Sequence, residues 1–152
     1  MSFRCLFLLS LSVLCACTGA RSTKEAVPNV EGMQLSIVAG EQVYVEVTVQ
    51  ANMIVAIKKV ANIVHPQSTM TFNLMKDESM KSMVLSVKNP LSRPVKYHID
   101  IVDYRDGLHN TSSCPVRAGL SVFEGWPHPI PELRITNFHF LSAQEERTGC
   151  IY

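Results

Sequence analysis

The central part of the sequence predicts an all-β fold, an antiparallel β-sandwich. Apolar and polar residues alternate with a period of two in several short runs, which is typical of strands with one buried and one exposed face. Turn signals rich in Asn, Asp, Gly and Pro separate these runs. Short strands at this spacing favour two packed antiparallel sheets over a parallel sheet with crossover helices.

The alternating runs give the predicted strands in chain order. The first run passes from Met33 through Leu35 to Ile37, and the pair Ala39-Gly40 interrupts it. The later runs are Val43 to Val49, Met70 to Leu74, Met83 to Val87 and Val95 to Ile101, with turn signals at Asn89 to Pro94 and Asp103 to Gly107.

Residues 52–64 fit two interpretations. Apolar residues at positions 53, 57, 60 and 64 have helical spacing, and Asn52 is a candidate N-cap for one short helix. However, six residues of the stretch are β-branched, which favours strands. We expect two short strands that turn at Lys58-Lys59.

The last apolar run, which ends at Phe140, changes its parity. Ile135 and Phe138 are three residues apart, so an undistorted strand would place them on opposite faces. One extra residue restores a common buried face, and the sequence therefore predicts a β-bulge near Thr136-Asn137.

The N-terminus predicts export. Arg4 supplies a positive charge, and residues 5–16 form an uncharged apolar run of about twelve residues, the length of a signal-peptide core. A membrane-spanning helix needs about twenty apolar residues, so this run is too short to be one. We interpret residues 1–16 as a signal peptide.

The run ends in Leu14-Cys15-Ala16-Cys17, which resembles the lipobox of bacterial lipoproteins. The resemblance implies that Cys17 carries diacylglycerol, that cleavage occurs just before it, and that a further acyl chain such as palmitate modifies the new amino terminus. Because Thr18 stands where Asp would retain a lipoprotein in the inner membrane, the resemblance also implies the periplasmic side of the outer membrane. The alternative is a secretory peptide that is cut after Ala20.

Residues 17–32 are small and polar without periodicity, and we interpret them as a flexible tether to a single domain over residues 33–152. The 152-residue chain has 14 Lys and Arg against 13 Asp and Glu. Removing residues 1–16 removes only Arg4 among the charged groups, which leaves 13 basic and 13 acidic residues. This balance argues against a nucleic-acid partner, which requires a concentrated positive field.

Two cysteines, Cys114 and Cys150, remain in the domain after the signal peptide and Cys17 are set aside. In an oxidising compartment this pair predicts one disulfide bond. The alternative is a catalytic thiol pair, but the two cysteines lack the C-x-x-C spacing typical of such sites.

The unit from Met83 to Gly107 consists of two alternating runs joined by a Pro-rich turn. It resembles the B and C strands of immunoglobulin-like or transthyretin-like domains, and many small envelope lipoproteins contain such domains. The resemblance implies an immunoglobulin-like sandwich and assigns no activity.

No motif predicts a catalytic residue, a cofactor or a metal site. Asp100, Asp103 and Asp106 recur every third residue, whereas calcium loops place ligands at every second position. The five histidines form no H-x-H or H-x-x-x-H set. The alternative is a cell-wall hydrolase or lytic accessory that uses Glu124 and Glu132, the two carboxylates flanking a Pro-rich segment.

That segment supplies the candidate partner-binding residues Phe123, Trp126, Pro127 and Pro129. Prolines at 127, 129 and 131 remove backbone donors, so we expect the segment to run along an edge. Two interpretations remain: a rigid aromatic ledge that binds an envelope protein, or Trp126 as an inward plug over one end of the sandwich. The whole sequence predicts a non-catalytic, membrane-anchored lipoprotein that binds another envelope component.

Overall fold

Antiparallel strands form two sheets in the computed structural model, which describes residues 33–79, 81–142, 144–145 and 150. The predicted signal peptide 1–16, the lipidation site Cys17 and the tether 17–32 lie outside the described residues. The described strands are β1 (Leu35–Val38), β2 (Gln42–Gln50), β3 (Met53–Val60), β4 (Thr69–Asp77), β5 (Ser82–Lys88), β6 (Val95–Asp103), β7 (Gly107–Thr111), β8 (Ser121–Trp126) and β9 (Glu132–Phe140).

The strand order is that of an immunoglobulin-like sandwich that, among the described residues, lacks a strand D and has two further changes. One sheet has the order β3-β2-β4-β5-β8 and the other has the order β1-β9-β6-β7. If β5 and β6 are strands B and C, then β4-β5-β8 corresponds to A-B-E and β7-β6-β9 to C′-C-F. The N-terminal strand β1 takes the place of strand G, and β2 and β3 extend the first sheet beyond A.

The core lies between the two sheets. Three aromatic residues stand at its centre: Phe72 on β4, Tyr97 on β6 and Phe138 on β9, with ring centroids 5.8 to 6.1 Å apart. These separations suit edge-to-face packing, which adds stability beyond the burial of apolar area. The hydroxyl of Tyr97 is buried, and burial raises the pKa of this phenol far above its ordinary value.

The prediction of two short strands with a turn at Lys58-Lys59 is wrong. A single strand, β3, runs through both lysines and forms a hairpin with β2. The turn lies at Ala51-Asn52, where φ is 48° and 62°. Two central residues with positive φ make the two-residue turn whose twist matches a β-hairpin, so the chain reverses there and no short helix forms in this stretch.

The predicted β-bulge in the last strand is confirmed. Lys96 pairs with His139 and His98 with Thr136, so two residues of β9 face one residue of β6. Asn137 has φ of 54°, the left-handed conformation that Asn tolerates better than most side chains. The bulge lets both Ile135 and Phe138 enter the core.

Asn89 fixes the crossover from β5 to β6. Its side chain is buried, and its Nδ2 donates to the carbonyl oxygens of Arg93 and Val116, each at 2.9 Å. Its Oδ1 accepts from the backbone N–H of Leu91 at 3.0 Å. The buried amide thus makes three hydrogen bonds to backbone groups that lie outside the strands. These bonds hold the loop in place where no strand pairing does so.

The predicted disulfide is confirmed: Cys114 and Cys150 are joined, with their Cα atoms 4.4 Å apart. It connects the loop before β8 to the C-terminal segment. Within the described residues, no helix has the length and apolarity that crossing a membrane would require.

Candidate functional site

Trp126 ends the edge strand β8 and turns its ring into the sandwich. Its side chain is only 8% exposed, and its indole N–H donates to Thr111 Oγ1 on β7 at 3.0 Å. The indole therefore connects the edge strands of the two sheets and closes the gap between them. The inward-plug interpretation describes its position.

Phe123 lies three residues earlier on the same strand and faces the other way. Its side chain is 70% exposed on the outer face of the five-stranded sheet. Alternate residues of a strand point to opposite faces, so Phe123 and Trp126 do not form one aromatic surface. Two of the four candidate partner-binding residues, Phe123 and Trp126, therefore lie on opposite faces of the five-stranded sheet.

The prolines after β8 form one wall of an open cleft, which we call the end cleft. It has a volume of about 550 Å³ and lies between the loop 127–131 and the hairpin of β6 and β7. Its lining residues are Ile101, Asp103, Tyr104, Arg105, His109, His128, Pro129 and Pro131. Among the four candidates, Pro129 lines this cleft, whereas Pro127 does not.

The β6–β7 hairpin forms the other wall. Ile101 packs against the core and stands directly opposite His109 on β7, so both side chains share the inward face beyond the core. The turn is tight because Asp103 accepts the backbone N–H of Arg105 at 2.8 Å and Gly107 has φ of 95°. The hydrogen bond from Arg105 N–H lowers the pKa of Asp103, so this carboxylate stays ionised.

Tyr104 presents its ring at the cleft in a fixed orientation. The side chain is 72% exposed, yet its hydroxyl donates to Glu132 Oε2 at 2.7 Å. Glu132 also accepts a hydrogen bond from the hydroxyl of Ser36 on β1. The hydrogen bonds from Ser36 and Tyr104 lower the pKa of Glu132, and the same contact raises the pKa of Tyr104. An ionised acceptor therefore holds a neutral phenol.

Polar groups of both signs crowd the rim of the end cleft. Asp103, Asp106 and His109 place one ligand-type atom each within 4.8 Å of one another. Arg105 projects from the same turn, and within the described residues the structure gives its guanidinium no hydrogen bond or ion pair. The arrangement offers hydrogen-bond donors and acceptors side by side to a ligand.

Glu124 and Glu132, the carboxylates of the hydrolase alternative, lie in different sheets and have different partners. Glu124 Oε1 accepts the backbone N–H of Cys114 at 2.7 Å and so holds the segment that bears the disulfide. Neither the end cleft nor a second cleft beside the disulfide is lined by Glu124 or Glu132. Among the described residues, the two carboxylates have separate structural contacts, and neither of these two clefts brings them together.

A lysine of β6 and a serine of the loop after β7 approach each other, but their contacts are structural. Lys96 Nζ lies 3.1 Å from Ser113 Oγ and also donates to the Ser113 carbonyl oxygen, and burial lowers the pKa of Lys96. However, the Ser113 hydroxyl donates to the carbonyl of Tyr97 at 2.6 Å, and the residue is only 4% exposed. A nucleophile needs an accessible oxygen with its proton directed at a base, which Ser113 does not offer.

Sequence reasoning missed Tyr104, Arg105, His109 and His128 as residues of one site. They belong to two segments that are distant in sequence, the β6–β7 hairpin and the proline loop, and only the packing of these segments brings the residues together. The available signal was the turn Asp-Tyr-Arg-Asp-Gly, in which a large aromatic residue occupies a position that solvent would normally reach.

Comparison of the chain with family models finds no match. No curated protein and no solved structure is significantly similar either.

Proposed function

We propose that this protein is a non-catalytic envelope lipoprotein, anchored through Cys17 at the periplasmic side of the outer membrane, that binds another envelope component at the end cleft. The observation that carries the binding role is Tyr104. An exposed aromatic ring held by a charged acceptor loses little conformational entropy on binding, which is how preorganised sites gain affinity.

The path of the chain supports this arrangement. β1 pairs Leu35 with Ile135 in the middle of β9 and Val38 with Glu132 at its start. The strand therefore runs towards the end cleft, and its first residue, Leu35, lies at the end of the strand that faces away from the cleft. This direction leaves the end cleft on the far side of the domain from the start of β1.

The non-catalytic assignment is supported by the contacts of the charged residues. Glu132 positions Tyr104, and Glu124 fixes the backbone at Cys114. Hydrolysis of a glycosidic bond, the alternative activity, instead needs two carboxyl groups that converge on one bond of the substrate.

The anchor is tested by replacing the lipidation site. We expect Cys17→Ser to abolish acylation, so that the protein leaves the membrane fraction or accumulates with its signal peptide uncut. Cys15→Ser is the matched control, since it changes the other cysteine of the lipobox-like run, which is not the acylation site and whose replacement by Ser keeps a small residue there, and it should stay in the membrane fraction. Intact mass spectrometry of the wild type should show the acyl chains. A wild-type mass without acyl chains, together with unchanged partition of Cys17→Ser, would contradict the anchor.

A further inference from the structure

We propose that the ligand of the end cleft is a neutral glycan, with one sugar ring stacked on Tyr104 and its hydroxyl groups bound by the acidic and basic side chains of the β6–β7 turn. The inference deepens the binding role proposed above and does not depend on the lipid anchor.

The ring of Tyr104 is the stacking surface. The hydrogen bond to Glu132 holds it at the cleft, while most of the side chain remains open to solvent. Pro129 and Pro131 add apolar surface on the opposite wall. An aromatic face carries negative electrostatic potential and attracts the C–H groups that line one side of a sugar ring.

The polar rim suits hydroxyl groups. A hydroxyl both donates and accepts, and the cleft offers carboxylates as acceptors beside a guanidinium as donor. Asp103, Asp106 and His109 lie within 4.8 Å of one another, close enough to meet neighbouring hydroxyls of one ring. Charges of both signs occur in the same turn, so the cleft has no strong field that would select an anion.

A bound cation is disfavoured by Arg105. Its charge acts on the Asp103 carboxylate and contributes to lowering the pKa of that group. A cation held by Asp103, Asp106 and His109 would share the turn with this guanidinium, and the two like charges would repel each other.

An extended peptide is disfavoured by the walls of the cleft. Peptides bind strand edges through a ladder of main-chain hydrogen bonds. The last pair of the β6–β7 ladder is Asp103 with Gly107, so the strand ends where the turn at the rim begins. Pro129 and Pro131 on the other wall have no N–H to donate.

The test is isothermal titration calorimetry of the full-length protein in detergent with two probes, N-acetylchitotetraose and maltotetraose. We expect saturable binding of at least one probe that is insensitive to EDTA. Tyr104→Ala should weaken this binding about tenfold or more, because the stacking surface is lost. Phe123→Ala is the matched control, since it removes an exposed aromatic ring from the outer face of the other sheet, and it should bind as the wild type does.

Two conservative variants separate stacking from positioning. Tyr104→Phe keeps the ring but loses its bond to Glu132, and Asp106→Asn keeps the shape of the rim but loses a charge. Each should weaken binding by about threefold to tenfold, less than Tyr104→Ala. Thermal unfolding checks that the variants fold, and we expect little change because both side chains are exposed.

The proposal is overturned by absence of binding to both probes, or by a Tyr104→Ala variant that binds as tightly as the wild type. Binding of added Ca²⁺ that EDTA abolishes, without saccharide binding, would identify a cation site instead. Binding of a proline-rich peptide but no saccharide would identify a peptide site. Loss of membrane partition in Cys17→Ser is a separate readout, so failure of the anchor and failure of the glycan site are distinguishable.

Discussion

Trp126 carries two structural roles in one side chain. Its ring fills the space between the edge strands β7 and β8, and its N–H satisfies the Thr111 hydroxyl. A lone large aromatic at a sheet edge can bind a partner only if its ring is exposed, and this ring is not. Tyr104 at the end cleft is an exposed aromatic residue that remains for recognition there, whereas the exposed Phe123 lies on the outer face of the other sheet, away from the end cleft.

We expect Trp126→Ala to lower the free energy of unfolding by about 3–5 kcal/mol, because it leaves a cavity between the sheets and removes the bond to Thr111. Urea unfolding measures the change. Phe123→Ala is the control on the opposite face and should stay within about 0.5 kcal/mol of the wild type. The native emission of Trp126 should be blue-shifted and poorly quenched. A red, readily quenched emission with unchanged stability of Trp126→Ala would place the ring in solvent.

At the scale of the element, the period of the hydrophobic pattern is the sequence signal that predicts the strands best. It predicted β2, β4, β5 and β6, and the parity change between Ile135 and Phe138 predicted the bulge, because burial of one face dictates both. The pattern could not predict β7, since Leu108 is its lone apolar residue and the strand is exposed along most of its length. The end cleft could not be predicted either, because it arises from packing between two turns distant in sequence.

The hairpin of β2 and β3 shows why the turn was misplaced. Lys58-Lys59 suggests a polar break, but Lys58 stands opposite Glu46 in the register of the hairpin and Lys59 bonds to Glu41, so both lysines lie beside acidic residues. The actual turn uses Ala51, a residue that gives no turn signal and has φ of 48°. An L-residue other than Gly, Asn or Asp in this conformation is strained by about 1–2 kcal/mol.

Relieving that strain should stabilise the protein. We expect the double variant Ala51→Asn, Asn52→Gly to raise the free energy of unfolding by about 1 kcal/mol, since Asn-Gly is the preferred pair for this turn. The backbone carbonyl of residue 52, which accepts from Arg93 Nη1 at 3.0 Å, is retained. The matched control places the same pair at Lys58→Asn, Lys59→Gly and should destabilise the strand. If the control were neutral and the first variant destabilising, the turn would lie elsewhere.

At the scale of the whole molecule, the C-terminal segment is attached to the sandwich at two described points. One is the disulfide from Cys150 to Cys114. The other is Glu145, which accepts from the backbone N–H and the hydroxyl of Ser142 and contacts His139 Nε2 at 3.1 Å. The bonds from Ser142 lower the pKa of Glu145 to about 2. Its contribution is therefore complete above its ordinary pKa of 4.5 and is lost as the pH falls towards 2.

Reduction of the disulfide should measure its contribution to stability. At pH 7 Glu145 is ionised in the folded and the unfolded chain, so a change on reduction does not come from a change in its protonation. Closing a loop with a separation of 36 residues stabilises a protein by about 3–4 kcal/mol in the chain-entropy model, and we expect a reductant to lower the free energy of unfolding by this amount.

The double variant Cys114→Ser, Cys150→Ser is the control, because it should match the reduced wild type and show no response to reductant. Equal unfolding curves for the oxidised and the reduced wild type would mean that the segment already holds the loop in place without the disulfide. A reductant effect that persisted in the double variant would instead have to come from a cysteine outside the folded domain. We expect the reductant to lower the free energy of unfolding of the wild type and not that of the double variant. This result would assign the stabilisation to the Cys114–Cys150 bond.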